Sequence, residues 1–496
     1  MPATGKKNFS KTASNENGRI LPFLIADAAY LLIVYGWLVT MQPVGLSYRQ
    51  AATPDEIHLL PRLIFQQMHR WFGDSMPGYL VVNFLLLYGC MVLIFFLTRL
   101  ITRGPWWLGS VSAVLFMANP IKSTALLSIG GIQWLLPGLL GLAVLLLYAL
   151  CRSGSMIGHK WLPFLTYLLV SVFTPSNIPL FAVIFVLEEI CFKKAERSVT
   201  RHHIYIAAAG ILLLFFSGQI FLPHALSLHA MFIPLLLLLN PIGFLSSTFS
   251  FFSYYTIAFY IGLAAGLTLL CFFMRRYRHP AFIFGILGAF AFRIGQGSLP
   301  IDLVTLENSS TLLIPTALAA VGAAGFFLAL SEIPHWNTSV VRLSTLVCCA
   351  AMLCQIWVNL QWYRAGADIA RFRTAARISA EEHPGQYLAV FPDIDYVGFV
   401  PYFLSETLRP IDRNTSALPV YSPASFSVMP PLRAEVLVYA PNLAVASITG
   451  FDEKGKPDFR PLSHDWWRQR LFRSGSRVLT REAGDHLFPL HRIPFP

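Results

Sequence analysis

The chain has 496 residues, of which 55% are hydrophobic and 12% charged, with a formal net charge of +12 and a mean hydropathy of +0.58. Soluble domains carry roughly 25% charged residues, so a water-soluble globular body is excluded. The basic residues gather at the ends of apolar runs instead of forming a stripe with interleaved aromatics, which argues against nucleic acid as a partner.

Residues 1–19 are polar, with Lys6, Lys7, Lys11 and Arg19, and read as a cytoplasmic tail. The first apolar run has no small-residue cleavage site and is long, which predicts an uncleaved anchor. From there to residue 363 apolar runs near 20 residues recur, each long enough to cross about 30 Å of hydrocarbon as a helix. Spans are predicted over 20–41, 79–98, 106–119, 134–151, 161–173, 179–193, 204–221, 254–274, 281–294, 310–330 and 340–361, about eleven in all. Continuous apolar runs select helices over the alternating strands of a barrel. Residues 230–248 are apolar but broken by Asn240-Pro241 and read as re-entrant or interfacial. The stretch 42–78 is an outer loop.

Lysine and arginine set the orientation. Arg99 and Arg103, then Arg152 and Lys160, then Lys193, Lys194, Arg197 and Arg201, then Arg275, Arg276 and Arg278 fall in alternate linkers. The intervening linkers after Asn119, Phe173, Phe221 and Gly295 hold only Lys122 as a basic residue, and the first outer loop, with Arg49, Arg62 and Arg70, is the exception. The N-terminus is therefore predicted to be cytoplasmic. An odd number of crossings puts residues 364–496 outside, with a bacterial inner membrane as the setting.

That last part changes character. A helix-like stretch from Arg364 to Glu382 precedes two apolar runs, Tyr387 to Phe391 and Glu435 to Ala440, separated by Pro- and Ser-rich turns. It reads as a small extracytoplasmic α/β domain. The seven cysteines all lie in or beside apolar runs and read as small buried hydrophobes, with no zinc spacing. His224 and His229 lack a third ligand, so no metal site is expected there. The sequons at Asn308 and Asn414 say little by themselves.

Asp55 and Glu56 stand side by side in the loop 42–78. Adjacent carboxylates on a loop held at a membrane surface suit a general base, or a divalent cation bridging phosphate oxygens. The competing reading is a solvated loop end capping a short helix that starts at Ile57. Arg62 and Arg293 are candidates to grip a lipid phosphate bidentately, against simple snorkelling to headgroups. Asp302 and Glu307 follow Arg293 in one loop, where either could pair with it or simply be solvated. Asp27 lies inside the first span, where a charge is costly, and should face the bundle interior with a partner. Glu188 and Glu189 read as an i,i+4 pairing with Lys193.

The run Tyr79-Leu80-Val81-Val82-Asn83-Phe84-Leu85-Leu86 resembles the "HLVNLLLH" helix of GT-C-type membrane glycosyltransferases, most of all the O-mannosyltransferases that carry tetratricopeptide repeats. Phe116-Met117-Ala118-Asn119-Pro120, with Ala125, Ile129, Gly131 and Leu135-Leu136, is similar to that family's "LHPVHVEAVAWISGRKDLL". Leu59-Leu60-Pro61 looks like its "YRPL", Thr174 to Glu189 like its "LSKE…LP…LLD", and Leu312 to Ala317 like its "YLYLPS".

The resemblance covers about two thirds of the chain. It implies an all-α polytopic bundle that transfers a sugar from a polyprenyl-phosphate donor to an acceptor on the outer membrane face, with Asp55 or Glu56 as base. The repeats are absent, and polar motif positions are replaced by Leu87, Asn119, Thr124, Ile132-Gln133-Trp134 and Pro175-Ser176. The second expectation is therefore a non-catalytic membrane subunit or binding partner on the same scaffold.

Overall fold

The computed structural model describes residues 20–42, 59–73, 75–153, 161–192, 201–216, 266, 279–295, 312–333 and 335–382, together with nine short strands between 387 and 489. The described residues up to 382 form a polytopic bundle of membrane helices. Six are long and apolar enough to cross a bilayer: Ile20–Thr40, Met76–Thr102, Ile129–Arg152, Pro175–Phe192, Leu313–Ser331 and Asn337–Ala367. Four more apolar helices are shorter: Trp106–Met117, Leu162–Phe173, Ile204–Leu213 and Pro280–Ile294. The expected spans thus resolve into long and short helices, and 254–274 and the piece 230–248 lie outside the described residues apart from Gly266.

Helix α1 (Ile20–Tyr35) tightens into a 3-10 turn over Gly36–Thr40 and stops just short of Pro43. The loop that follows is not wholly irregular. Helix α2 (Leu59–Phe72) buries Pro61, Phe65 and Met68, a spacing that lines one face, and exposes Gln66, Gln67, His69 and Arg70. It ends at Gly73, whose φ of +53° is the left-handed conformation that a helix-terminating glycine supplies without a Cβ penalty. The Gly73 N–H donates to His69 O at 2.9 Å.

Helix α3 (Met76–Thr102) begins with Pro77 in its first turn, where the missing N–H costs nothing. Helix α4 (Trp106–Met117) is joined to α5 (Ile132–Arg152) by a connector, residues 118–131, of 3-10 turns and one short helical turn. Helix α6 (Leu162–Phe173) leads through a 3-10 turn at Pro175–Asn177 into α7 (Leu180–Leu187), which widens into a π-helix over Glu188–Phe192. Helices α8 (Arg201–Phe216), α9 (Pro280–Gly295), α10 (Leu313–Ser331) and α11 (Asn337–Glu382) complete the set. Helix α11 runs unbroken through residue 364, so the span and the helix-like stretch after it are one element.

Small residues set the closest approach. A Cβ on Gly285 of α9 would lie 2.4 Å from the Gly322 Cα of α10, and one on Gly325 would lie 2.5 Å from Phe282 N. Backbones therefore touch directly, which is how helices pack in lipid, where apolar burial gives little drive to associate.

Contacts sort the helix ends into two groups. At one end Tyr35 meets Met117, Asn83 meets Ser128, Asn177 meets Pro137 and Asn359 meets Val34. At the other, the Arg99 guanidinium lies 3.7 Å from the centroid of Trp106 and Arg152 pairs with Glu188.

Beyond α11 the strands β1 (Tyr387–Val390), β2 (Ile394–Val397), β3 (Val400–Leu404), β4 (Val420–Tyr421), β5 (Val436–Ala440), β6 (Thr449–Phe451), β7 (Pro457–Pro461), β8 (Arg477–Thr480) and β9 (Phe488–Pro489) are described. Five make a sheet in the order β4-β1-β5-β8-β9, parallel except for β9. β1 and β5 fall on the two apolar runs and pair directly, Leu388 opposite Leu437. β2 and β3, and β6 and β7, form separate antiparallel pairs.

Candidate functional site

The connector between α4 and α5 is the unusual part of the bundle. Every residue from Val111 to Ile132 is buried, although residues 118–131 are largely non-helical. Irregular backbone inside a membrane protein persists only where protein groups satisfy it. Here α1, α3 and α11 supply them.

Asn83 of α3 donates from Nδ2 to both Leu126 O (3.0 Å) and Ser128 O (2.9 Å). The Tyr35 hydroxyl of α1 donates to Met117 O at 2.9 Å. Asn119 Oδ1 accepts from Ile121 N at 3.0 Å and so starts the first 3-10 turn. From α11, Gln355 Nε2 donates to Ser123 Oγ (3.0 Å) and to Asn359 Oδ1 (2.9 Å), and Asn359 Nδ2 donates to Val34 O (2.8 Å). A Cβ on Gly131 would lie 1.9 Å from Ala125 O and 2.5 Å from Asn83 Nδ2, so no side chain fits there.

Lys122 sits in this connector with 1% of its surface exposed. Its Nζ donates to Phe116 O in the last turn of α4 and to Asn119 O of the connector at 2.7 Å, and lies 5.2 Å from the Phe116 ring centroid. A cation at a helix C-terminus meets the negative end of the peptide dipoles. Burial pushes its pKa well below the ordinary lysine value, and Cys90 acts in the opposite sense. Sequence reasoning counted Lys122 only as a linker charge. The signal that marks it is its isolation: it is the only Lys, Arg, Asp or Glu between Arg103 and Arg152.

Four further buried atoms, Asn83 Oδ1, Asn119 Nδ2, Ser128 Oγ and Gln355 Oε1, make no hydrogen bond within the protein. The cluster therefore keeps donors and acceptors for a polar guest or water.

Of the six residues singled out from the sequence, two lie among the described ones. Arg62 is half-buried in the first turn of α2, and Arg293 is 3% exposed in the last turn of α9. The antiparallel packing of α9 on α10, with Phe282 5.9 Å from Phe326, puts Arg293 at the end where α10 starts. Leu313, in the first turn of α10, packs at Gly138 near the start of α5, so Arg293 belongs to the connector end. Asp55, Glu56, Asp302 and Glu307 lie outside the described residues. Among the described residues no group of three or more His, Cys, Asp or Glu stands together in a way that could hold a metal.

The corner from α2 into α3 also belongs to this end. The Tyr79 hydroxyl donates to Gly73 O at 2.8 Å, leaving its oxygen to accept from His69 Nδ1 at 3.1 Å. The His69 ring stacks on Phe65 at an angle of 8°. Arg62 and Arg70 are thereby carried on a helix anchored at its far end to α3.

At the opposite end Glu188 has Arg152 and Tyr148 as partners, and Lys193 lies outside the described residues. The Glu188 carboxylate accepts from Arg152 Nε at 2.6 Å and, through its second oxygen, from Arg152 Nη2, and it also accepts from the Tyr148 hydroxyl at 2.9 Å. The π-helix turns Glu188 inward toward α5.

No protein-family model matches the chain, and no curated protein matches it. Among solved structures the chain is similar to one described as the crystal structure of ArnT from Cupriavidus metallidurans bound to undecaprenyl phosphate. The identity is 12% and the TM-score 0.39, over 89% of this chain and 97% of that one.

Proposed function

We propose that this multi-pass membrane protein is a GT-C-like glycosyltransferase that takes a sugar from a polyprenyl-phosphate donor and passes it to an acceptor on the outer membrane face. The observation that carries the reading is Arg293, a guanidinium 3% exposed at the connector end of the bundle. A buried arginine in a membrane protein marks a pathway or an anion, and a planar fork suits phosphate. Arg62 on α2 is the second phosphate candidate. Asp55 or Glu56 is the base that takes the acceptor proton, or holds a divalent cation against the phosphate, and Asp302 and Glu307 border Arg293 in sequence. The N-terminus is cytoplasmic. The strands after α11 belong to an α/β domain over residues 364–496 on the outer side.

A second reading has an observation of its own. Asn119 stands where the resembled family has a motif histidine, and it serves the backbone of its own turn. Its neighbours Asn83 and Lys122 likewise spend their donors on carbonyls. That favours a non-catalytic subunit on the same scaffold.

Thermal unfolding of the purified protein with undecaprenyl phosphate or undecaprenol tests the shared premise. The phosphate should raise the midpoint and the alcohol should not, with the gain lost in Arg293→Met. Equal effects of the two lipids would end the phosphate reading. Sugar transfer by Asp55→Asn/Glu56→Gln then separates enzyme from subunit: wild-type activity that disappears in the double variant supports the first, and no activity in either the second.

A further inference from the structure

Asp27 lies on α1, seven residues and roughly 10 Å from its first residue at 1.5 Å per residue. It is 1% exposed, and neither carboxyl oxygen makes a hydrogen bond within the protein. The sequence predicted an interior position and a partner. The position is interior, and the one polar side chain set against it among the described residues is a neutral hydroxyl.

The polar side chain set against it is Ser110 of α4, whose buried hydroxyl lies within reach of the carboxyl and has no other partner among the described residues. Among the described residues, the titratable groups in electrostatic reach are Tyr88 of α3 and Cys348 of α11. Both are neutral near pH 7, and the Tyr88 proton is already given to Leu24 O at 3.2 Å. Nothing among these neighbours carries a positive charge. A bare carboxylate out of water is among the most costly groups a protein can hold, so it takes a cation or gives up its charge. A carboxylate and a hydroxyl from two packed helices are the kind of oxygen ligand a small hard cation takes.

We propose that Asp27 and Ser110 form a binding site for a small monovalent cation, a proton or a sodium ion, inside the bundle. The site stands independently of any sugar transfer, since it uses none of the residues invoked for that reaction. It joins α1 to α4, two helices that also meet at the connector through Tyr35 and Met117. Loading the cation therefore tightens the wall on which the connector rests.

The test is the thermal unfolding midpoint of the full-length protein in detergent, wild type against Asp27→Asn, which keeps the shape and removes the charge. In one arm choline chloride is replaced by sodium chloride at constant ionic strength and pH. In the other, pH is raised from about 6 to about 8 in choline alone.

A sodium site gives wild type a midpoint that rises with the logarithm of sodium concentration, while the variant stays flat. A proton site gives a wild type that loses stability relative to the variant as pH rises, with sodium inert. Ser110→Ala should shrink whichever response is seen. If the gap between wild type and Asp27→Asn is unmoved by sodium and by pH, the proposal is overturned.

Discussion

Arg152 and Glu188 show what a single buried contact does in this bundle. Both side chains are almost completely buried, at 6% and 4% exposure, and the pair is bidentate with Tyr148 as a third partner. Removing one member leaves a charge with no water to solvate it, at a cost of about 3–5 kcal/mol, whereas replacing both with apolar groups of similar volume is close to neutral. Arg152→Met should therefore lower the unfolding midpoint sharply, and Arg152→Met/Glu188→Met should recover most of the loss. A double-mutant cycle by denaturant unfolding measures the coupling directly; additive losses would mean the pair acts only as two separate charges. The partnership was not legible in the sequence, because 36 residues separate the two and Lys193 stands at the usual i,i+4 spacing from the adjacent Glu189. Asp27 was more legible, since one acid in an apolar run announces burial whatever its partner. Lys122 carried the same kind of signal, masked by its place in a linker.

At the scale of the element, helix ends carry the information that apolar runs lack. His279 is the N-cap of α9: its carbonyl accepts from Phe282 N at 3.2 Å, and its Nδ1 accepts from Ala281 N at 3.3 Å. Accepting that N–H requires a bare Nδ1. Burial lowers the His279 pKa below its ordinary value, with Glu332 pulling weakly the other way. The unfolded chain then binds a proton more readily than the folded one, so stability falls as pH drops below the unfolded value of about 6.5 toward the lower folded one. His279→Asn keeps a capping acceptor that does not titrate. Between about pH 7.5 and 5.5, wild type should lose more of its unfolding midpoint than His279→Asn, and parallel pH profiles would refute the cap. The helix bodies were readable because about 20 apolar residues in a row leave a chain in lipid few options. Their ends were read less well. The extension of α2 to Phe72 rests on Gly73 and Tyr79 cooperating across a turn, and the unbroken α11 carries polar residues past 364 that resemble a surface helix by composition alone.

The whole molecule is ordered by two ends of different chemistry. Arg99, Arg152 and Glu188 lie at one, while the connector, Asn83, Lys122, Asn359 and Arg293 lie at the other. The sequence alternation of cationic and uncharged linkers has the same two-sided character, and the retention of Lys/Arg on the cytoplasmic side is what orients such chains. Lys122 is the one basic residue among the described residues of the linkers after Asn119, Phe173, Phe221 and Gly295, whereas the first outer loop departs from the pattern with Arg62 and Arg70. An amino group bonded to Asn119 O and Phe116 O is not a surface charge available to the insertion machinery's bias or to anionic headgroups. The proposed orientation, with the N-terminus inside and the strands after α11 outside, rests on that bias and on the crossing count. Alkaline phosphatase, which is active only outside, and green fluorescent protein, which is bright only inside, report it when fused in turn before Met1 and after Pro496. Fluorescence at the first junction and phosphatase activity at the second are expected. The same reporter active at both junctions would mean an even number of crossings. Asp55, Glu56 and α2 would then need to be placed again from the next linker inward, because the register that puts them outside runs through the same count.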